Sequence, residues 1–371
     1  MEIQAAVTES QGAPFTLEPV ELGELRADEV RVRVVASGIC HTDLIIRDQW
    51  YPVPLPAVLG HEGAGVIEAV GVAVTKVAPG DHVAMSYGSC GGCVNCATGR
   101  PWVCHDFWGR NFAAARPDGS SALTGSDGRE IHSHFFGQSS FATHAVATER
   151  NVTRLDPAVP LEVVAPFGCG IQTGAGGVLN ALRPPAGSSI AVFGTGTVGL
   201  AAVLGAVVAG CTTIIGVDVR QARLELAREL GATHVVDAGD ADPVDAIKQL
   251  TGGLGADFSI DSTGSPQVLQ QAVYCTGPGG VCGLIGAPPF GTEVSLDMNE
   301  VLALGRTLRG IVEGESVPDV FVPTLIELWQ QGRFPIDRIM TYYDFDEIDR
   351  AAADAEQGTV VKPVLRMGSA G

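Results

Sequence analysis

The sequence is poor in basic residues. Lysine and arginine number 23 against 42 aspartates and glutamates, a formal net charge of −19. This deficit excludes nucleic acids and anionic membrane surfaces as partners, because both are held largely through Lys and Arg. The acidic excess itself reads as solubility rather than catalysis. No run of about 18 apolar residues occurs, which excludes a membrane-spanning helix. The start, Met1-Glu2-Ile3-Gln4-Ala5-Ala6-Val7, lacks both the basic and the apolar region of an export signal, so a soluble, cytoplasmic chain is expected. There are no internal repeats and no low-complexity tracts. Charged residues make up only 18% against 46% hydrophobic, which excludes intrinsic disorder.

What is present divides in two. A length of 371 residues exceeds one ordinary domain. Residues 1 to about 150 read as short strands between turns: Val30 to Val35 alternates like a half-buried strand, and Gly65 to Gly71 and Asp81 to Met85 are similar. Residues 105 to 140 form a polar, Gly-rich excursion without clear periodicity. Near Gly187 the character changes to strand–helix alternation. Ser189 to Phe193, Thr213 to Val217, Val235-Val236, Phe258 to Ile260 and Val281 to Ile285 read as buried strands, with helices between them. Continuous apolar strands alternating with helices indicate a parallel sheet covered on both faces. From about 314 a helix (Val320 to Gln331) and a last strand (Val360 to Leu365) follow, and both can return to the first domain.

Cys90, Cys93, Cys96 and Cys104 fall within fifteen residues, as C-G-G-C-V-N-C and a fourth Cys. Paired C-x-x-C spacings in a large chain without an export signal favour a metal over disulfides. Four thiolates fill the tetrahedral shell of a Zn²⁺ and leave no position for substrate, so this site is structural. Further candidates are Cys40 in Gly38-Ile39-Cys40-His41-Thr42-Asp43, His61 in Gly60-His61-Glu62, and Cys169 in Gly168-Cys169-Gly170. One His and two Cys with a fourth position open make a catalytic zinc site. The remaining Cys211, Cys275 and Cys282 stand in apolar stretches and read as buried, inert thiols.

Gly194-Thr195-Gly196-Thr197-Val198-Gly199 follows an apolar strand, opens a helix, and precedes by 19 positions an acidic residue, Asp218, that ends the next strand. That context makes it a dinucleotide-binding turn. Phosphates face the helix N-terminus, and Asp218 suits ribose hydroxyls and repels a 2′-phosphate, so NAD is favoured over NADP. Arg220 and Arg223 stand close enough in sequence to temper that preference.

In order along the chain, G-I-C-H-T-D, G-H-E-G-A-G-V, the four-Cys lobe, G-C-G-I-Q-T-G and the nucleotide turn resemble the zinc-dependent medium-chain alcohol dehydrogenases over essentially the whole length. The sequence is most similar to the aryl-alcohol type, through C-H-T-D and the stretch Tyr51 to His61. The resemblance implies an α/β protein: a GroES-like β-rich catalytic domain from residues 1–171 and 314–371, and a Rossmann doubly wound NAD-binding domain from 172–313, with the active site in a cleft between them. It implies two Zn²⁺ per chain, NAD, a small alcohol or aldehyde as substrate, and a homo-oligomer, dimer or tetramer. Cys40, His61 and Cys169 would hold the catalytic zinc, with Glu62 behind it. Asp43 would orient the His61 ring, Thr42 would relay the alcohol proton, and His41 would lie near the pyrophosphate. Gly194, Gly196, Thr197, Val198, Gly199, Asp218, Arg223, Ile285 and Lys362 would bind the cofactor. Many members carry a His five positions after the first Cys; here that position is Ile45. The implied reaction is reversible oxidation of a primary alcohol, aryl or allylic, with hydride transfer to NAD. The resemblance also places Trp50, Tyr51 and Tyr87 at a flat substrate slot. The alternatives are a thiol-adduct formaldehyde dehydrogenase, and a non-catalytic zinc- or nucleotide-binding protein.

Overall fold

Val30, Val32 and Val34 point into the core from the strand Glu29–Gly38, while the alternate residues Arg31 and Arg33 reach Glu68 at 3.5 and 3.6 Å on the other face. Branched apolar residues at period two, with charges between them, make a strand with one wet side. This strand is central to one of the two compact units of the chain, seen in a computed structural model that describes residues 1–368.

Of the described residues, the first unit comprises 1–169, 317–326 and 339–368. Its larger sheet runs Val152–Leu155, His82–Met85, Gly63–Val70, Glu29–Gly38, Lys362–Arg366 and Met340–Asp344, with His144–Thr148 also paired to Glu29–Gly38. The smaller sheet runs Ala57–Val58, Glu2–Thr8, Phe15–Leu22, Leu123–Gly125 and Glu130–Ile131. One core joins them, from Ile3 and Val7 through Phe135 and Phe141 to Leu365. Val364 pairs with Gly38 and Arg366 with Ala36, so the last strand lies beside an early one.

The 105–140 stretch is structured after all. It holds the helix Phe107–Asn111 and the last two strands at one side of the smaller sheet. Strands of three and two residues are too short to show a period in sequence.

The second unit comprises residues 170–316 and 327–338. Its six strands are all parallel, in the order His234–Asp237, Thr213–Asp218, Ser189–Phe193, Ala256–Asp261, Thr276–Leu284 and Thr307–Gly310. In chain order this is three, two, one, four, five, six: a doubly wound sheet whose winding reverses between Ser189–Phe193 and Ala256–Asp261. The helix Thr197–Ala209 is apolar on every side, and Gly199 to Ala206 are all buried. Among the described residues no helix is long and apolar enough to cross a membrane.

Candidate active site

The candidate metal site is built on a turn and a helix start. Cys40 is the N-cap of the helix His41–Arg47, and Asp43, in the first turn, reaches back to accept the Cys40 N–H at 2.9 Å. The other oxygen of Asp43 accepts the Gly60 N–H at 3.1 Å and meets His61 Nδ1 at 2.8 Å. Asp43 and His61 are both fully buried. One carboxylate therefore fixes two ligand-bearing segments and the tautomer of the ring: with Nδ1–H donated to Asp43, Nε2 carries the lone pair.

That Nε2 is buried and accepts no hydrogen bond from an N–H or O–H among the described residues. A buried acceptor left unsatisfied is costly. Cys40, His61, Glu62 and Cys169 nevertheless each offer a ligand atom within 4.8 Å of all the others. Two sulfurs and an imidazole nitrogen converging on one point fit a Zn²⁺, which would satisfy Nε2. Hydrogen bonding with Cys169 pulls the Cys40 thiol well below its ordinary pKa against the effect of burial, with help from His61 and Lys362. Burial opposes a charge on His61, yet Asp43 and Cys40 raise its pKa well above the ordinary value. The two directions belong together, since a thiolate at Cys40 and a charged His61 ring stabilise each other.

Glu62 is fully buried, and its carboxylate accepts from Lys362 Nζ at 2.7 Å. Lys362 is enclosed as well, and its amine also donates to the Ile39 carbonyl at 3.0 Å. Burial raises the Glu62 pKa, against the opposing pull of Lys362. Gly38 makes the space: a side chain there would begin 2.1 Å from Glu62 Oε2.

Thr42 sits in the first helical turn with its Oγ1 3.8 Å from Cys40 Sγ. His41 is exposed, edge-on to Trp50 at 6.1 Å. Ile45 is buried in the core and offers no titratable group. Tyr51 and Tyr87 are also core residues, whereas Trp50 is 44% exposed.

The rings against His61 are Phe136, 4.6 Å away, and Phe135 at 5.5 Å. Phe112 contacts Phe136 at 5.1 Å and Trp108 contacts Phe112 at 4.4 Å, so an aromatic row leads from the buried imidazole to an exposed indole. These residues and Gln138 belong to no motif and stand in the aperiodic stretch, so nothing local in the sequence marks them.

In the four-cysteine lobe, backbone N–H groups point at sulfur: Cys93 to Cys90 Sγ at 3.3 Å, Cys96 to Cys93 Sγ at 3.5 Å, and Cys90 and Asp106 to Cys104 Sγ at 3.3 and 3.4 Å. Such donors suit thiolates, and the Cys96 N–H is the main reason that Cys93 is drawn down to about 6. The four Sγ atoms converge like those of the first site, which fits a closed tetrahedral metal. All nine cysteines are free. Burial pushes Cys211 up to about 11 and Cys282 up to about 12, and it raises Cys275 too, so these three stay thiols.

In the second unit, Gly194 has φ +81, a left-handed conformation that glycine alone adopts without strain. Gly196 caps the helix Thr197–Ala209, and a side chain added there would meet only Arg223 Nη1, at 3.9 Å. Open space before a helix N-terminus is a cradle for a pyrophosphate. Thr197 and Val198 open that helix, Asp218 ends the neighbouring strand, and Ile285 follows the end of Thr276–Leu284. Asp218 accepts from Thr195 N and Oγ1 at 2.7 and 2.9 Å and from Val219 N and Arg220 N at 2.8 and 3.0 Å. Arg223 is half-buried, and its Nε has no hydrogen-bond partner among the described residues.

Residues 26–157 match the alcohol dehydrogenase GroES-like domain family and residues 197–330 the zinc-binding dehydrogenase family. A geraniol dehydrogenase from Castellaniella defragrans is 46% identical over 98% of this chain and 97% of its own. The chain belongs to the zinc-type medium-chain alcohol dehydrogenases. A solved benzyl alcohol dehydrogenase from Acinetobacter calcoaceticus superposes with a TM-score of 0.96 at 49% identity, covering 99% of this chain and 100% of that one. An alcohol dehydrogenase zinc-binding domain protein from Burkholderia ambifaria gives 0.97 at 52%, covering 99% of both chains. As a member of this family the chain is an alcohol-oxidising enzyme, with a GroES-like unit and a Rossmann-type unit.

Proposed function

We propose that the enzyme oxidises flat primary alcohols, benzylic or allylic, to their aldehydes, with NAD as hydride acceptor and two zinc ions per chain. The observation that carries the substrate reading is the aromatic row from His61 through Phe136 and Phe112 to Trp108. Rings so arranged stack on a planar, conjugated substrate and gain about 0.5–1.5 kcal/mol per pair beyond burial. The named substrates of the geraniol and benzyl alcohol dehydrogenases, one allylic and one benzylic, agree with it.

Zinc held by Cys40, His61 and Cys169 would act as a Lewis acid that makes the substrate hydroxyl easier to deprotonate. The chain does the rest. Asp43 keeps His61 Nδ1–H donated, so the ring presents Nε2. Thr42, two residues after Cys40, takes the hydroxyl proton, and with Ile45 buried the proton leaves toward exposed His41 or water. Lys362 neutralises Glu62 and so holds that carboxylate behind the site. The cysteine lobe holds its zinc for folding alone.

Asp218 supports NAD over NADP. Its carboxylate is fixed by four donors at the rim of the glycine turn, where a 2′-phosphate would meet a negative charge. A homo-oligomer is supported by the sheet edge Thr307–Gly310, exposed along its length near exposed Leu302 and Met298, and sedimentation would measure it.

One panel tests the substrate reading. With zinc-loaded enzyme and NAD, benzyl alcohol and geraniol should exceed ethanol in kcat/KM by at least about tenfold, or about 1.4 kcal/mol. The same alcohols with NADP should be clearly slower. Ethanol or a short secondary alcohol in the lead would refute the aromatic slot.

A further inference from the structure

Asp43 joins the Cys40 segment to the His61 segment. The third ligand, Cys169, is more than a hundred residues further along the chain. A second buried side chain supplies that link. Gln138 is 1% exposed and carries no charge. Its Oε1 accepts the Gly63 N–H at 3.1 Å, and its Nε2 donates to the His61 carbonyl at 2.9 Å, so the amide brackets the His61-Glu62 pair from behind. The same Nε2 lies 3.5 Å from the Ser86 carbonyl, and the Ser86 hydroxyl donates to the Gly168 carbonyl at 2.6 Å, one residue before Cys169.

Gln138 is held there by an unusual loop. His134, Phe136 and Ser139 have φ of 67, 50 and 52, left-handed values that side chains rarely adopt. The loop keeps them because it is tied to the ligand segment: Ser139 Oγ donates to the Val58 carbonyl at 2.6 Å, Ser140 N to Gly60 O at 2.9 Å, and Phe141 N to Leu59 O at 3.0 Å. Phe136, on the same loop, lays its ring against the imidazole. Strain that persists because its surroundings over-determine it points to a functional constraint.

We propose that Gln138 is a positioning residue that couples the His61 segment to the Cys169 segment through Ser86, and so sets the ligand geometry of the metal site. It acts on the peptide planes flanking the ligands and touches neither substrate nor metal. The inference rests on the zinc reading of Cys40, His61 and Cys169.

The test uses the zinc enzyme and its cobalt(II)-substituted form, with Gln138→Leu, which keeps the volume and loses the three contacts, and Ser86→Ala, which removes the hydroxyl donor to Gly168. Gln138→Leu should release one of its two zinc ions to a chelator at least tenfold faster than wild type, while the other ion, in the cysteine lobe, leaves at the wild-type rate. Its cobalt visible spectrum should shift, and kcat should fall while the KM for NAD holds. Ser86→Ala should move the same three readings in the same direction by less, and it decides the matter if Gln138→Leu does not fold. Folded variants with the wild-type release rate and cobalt spectrum would overturn the proposal, even if their melting temperature had dropped. Wild-type enzyme that takes up zinc in the cysteine lobe alone would overturn the zinc reading, and the proposal with it.

Discussion

Thr42 and Glu29 show two ways in which one side chain is set by its neighbours. Thr42 stands in the first turn of the helix His41–Arg47, its hydroxyl beside Cys40. Replacement by Ala should cut kcat by about 10²-fold or more, the order expected when a proton acceptor is lost, whereas Thr42→Ser should be mild. Near-wild-type turnover of Thr42→Ala, in a step limited by chemistry, would send the relay elsewhere. Glu29 is buried in a different part of the same unit, bound by Arg116 at 2.6 and 2.8 Å and by the Arg26 N–H at 2.8 Å. Burial pushes its carboxyl upward, but His134, Arg116 and the Arg26 N–H together hold it at about 2 rather than 4.5. A folded pKa below the unfolded one means that the proton binds the unfolded chain more readily. The stabilisation is therefore complete above 4.5 and is lost as pH falls toward about 2. Glu29→Gln should lower Tm at neutral pH, and the gap to wild type should close as the pH is lowered through that window. A gap that stays constant from neutral pH down would show that the charge of Glu29 is not what counts.

At the scale of elements, the lobe that begins at Cys90 is a loop with little else to order it. The helix Val94–Ala97 has four residues and none of them is buried. A metal held by its four cysteines, as proposed, would substitute for a core. Cys96→Ser should remove one zinc per chain and expose residues 90–104 to protease, while Cys169→Ser should leave folding intact and abolish turnover. Metal analysis with limited proteolysis would check both, and a fully active wild type holding fewer than two zinc ions would refute the division of roles. The convergence of its four cysteines was readable from the sequence because they are neighbours in the chain. The glycine turn was readable for the same reason: strand, Gly194 to Gly199 and Asp218 follow one another within thirty residues. The supports of the catalytic site lie beyond that reach. Gln138 bonds a carbonyl 77 residues away, and Lys362 bonds a carboxylate 300 residues away. Such contacts leave no periodicity or spacing, since the partners meet only once the chain has folded. Phe135 and Phe136 were hidden for another reason, standing where strands of two or three residues give no pattern.

For the whole molecule, the formal charge of −19 is a cost to compactness as well as an aid to solubility. Self-repulsion acts over about 30 Å at 0.01 M salt and only about 8 Å at 0.15 M. Raising sodium chloride across that range should increase Tm by a few degrees, read by calorimetry at fixed protein and zinc concentrations. A Tm that is flat or falling would mean that attractive pairs such as Arg129 with Glu9 and Glu18 dominate instead.

The placement of Lys362–Arg366 beside Glu29–Gly38 has a consequence for the order of events during synthesis. A ribosome delivers Cys40, His61 and Glu62 first, then the parallel-sheet unit, and the strand bearing Lys362 only after that. Until that strand arrives, Glu62 is a carboxylate on its way to burial with no cation beside it, and the sheet edge at Gly38 stays open. The nascent catalytic site is thus incomplete for most of translation, while the nucleotide-binding unit, contiguous through residue 316, has nearly its whole sequence in hand. A stalled chain ending before residue 362 should hold nucleotide better than it holds its second metal.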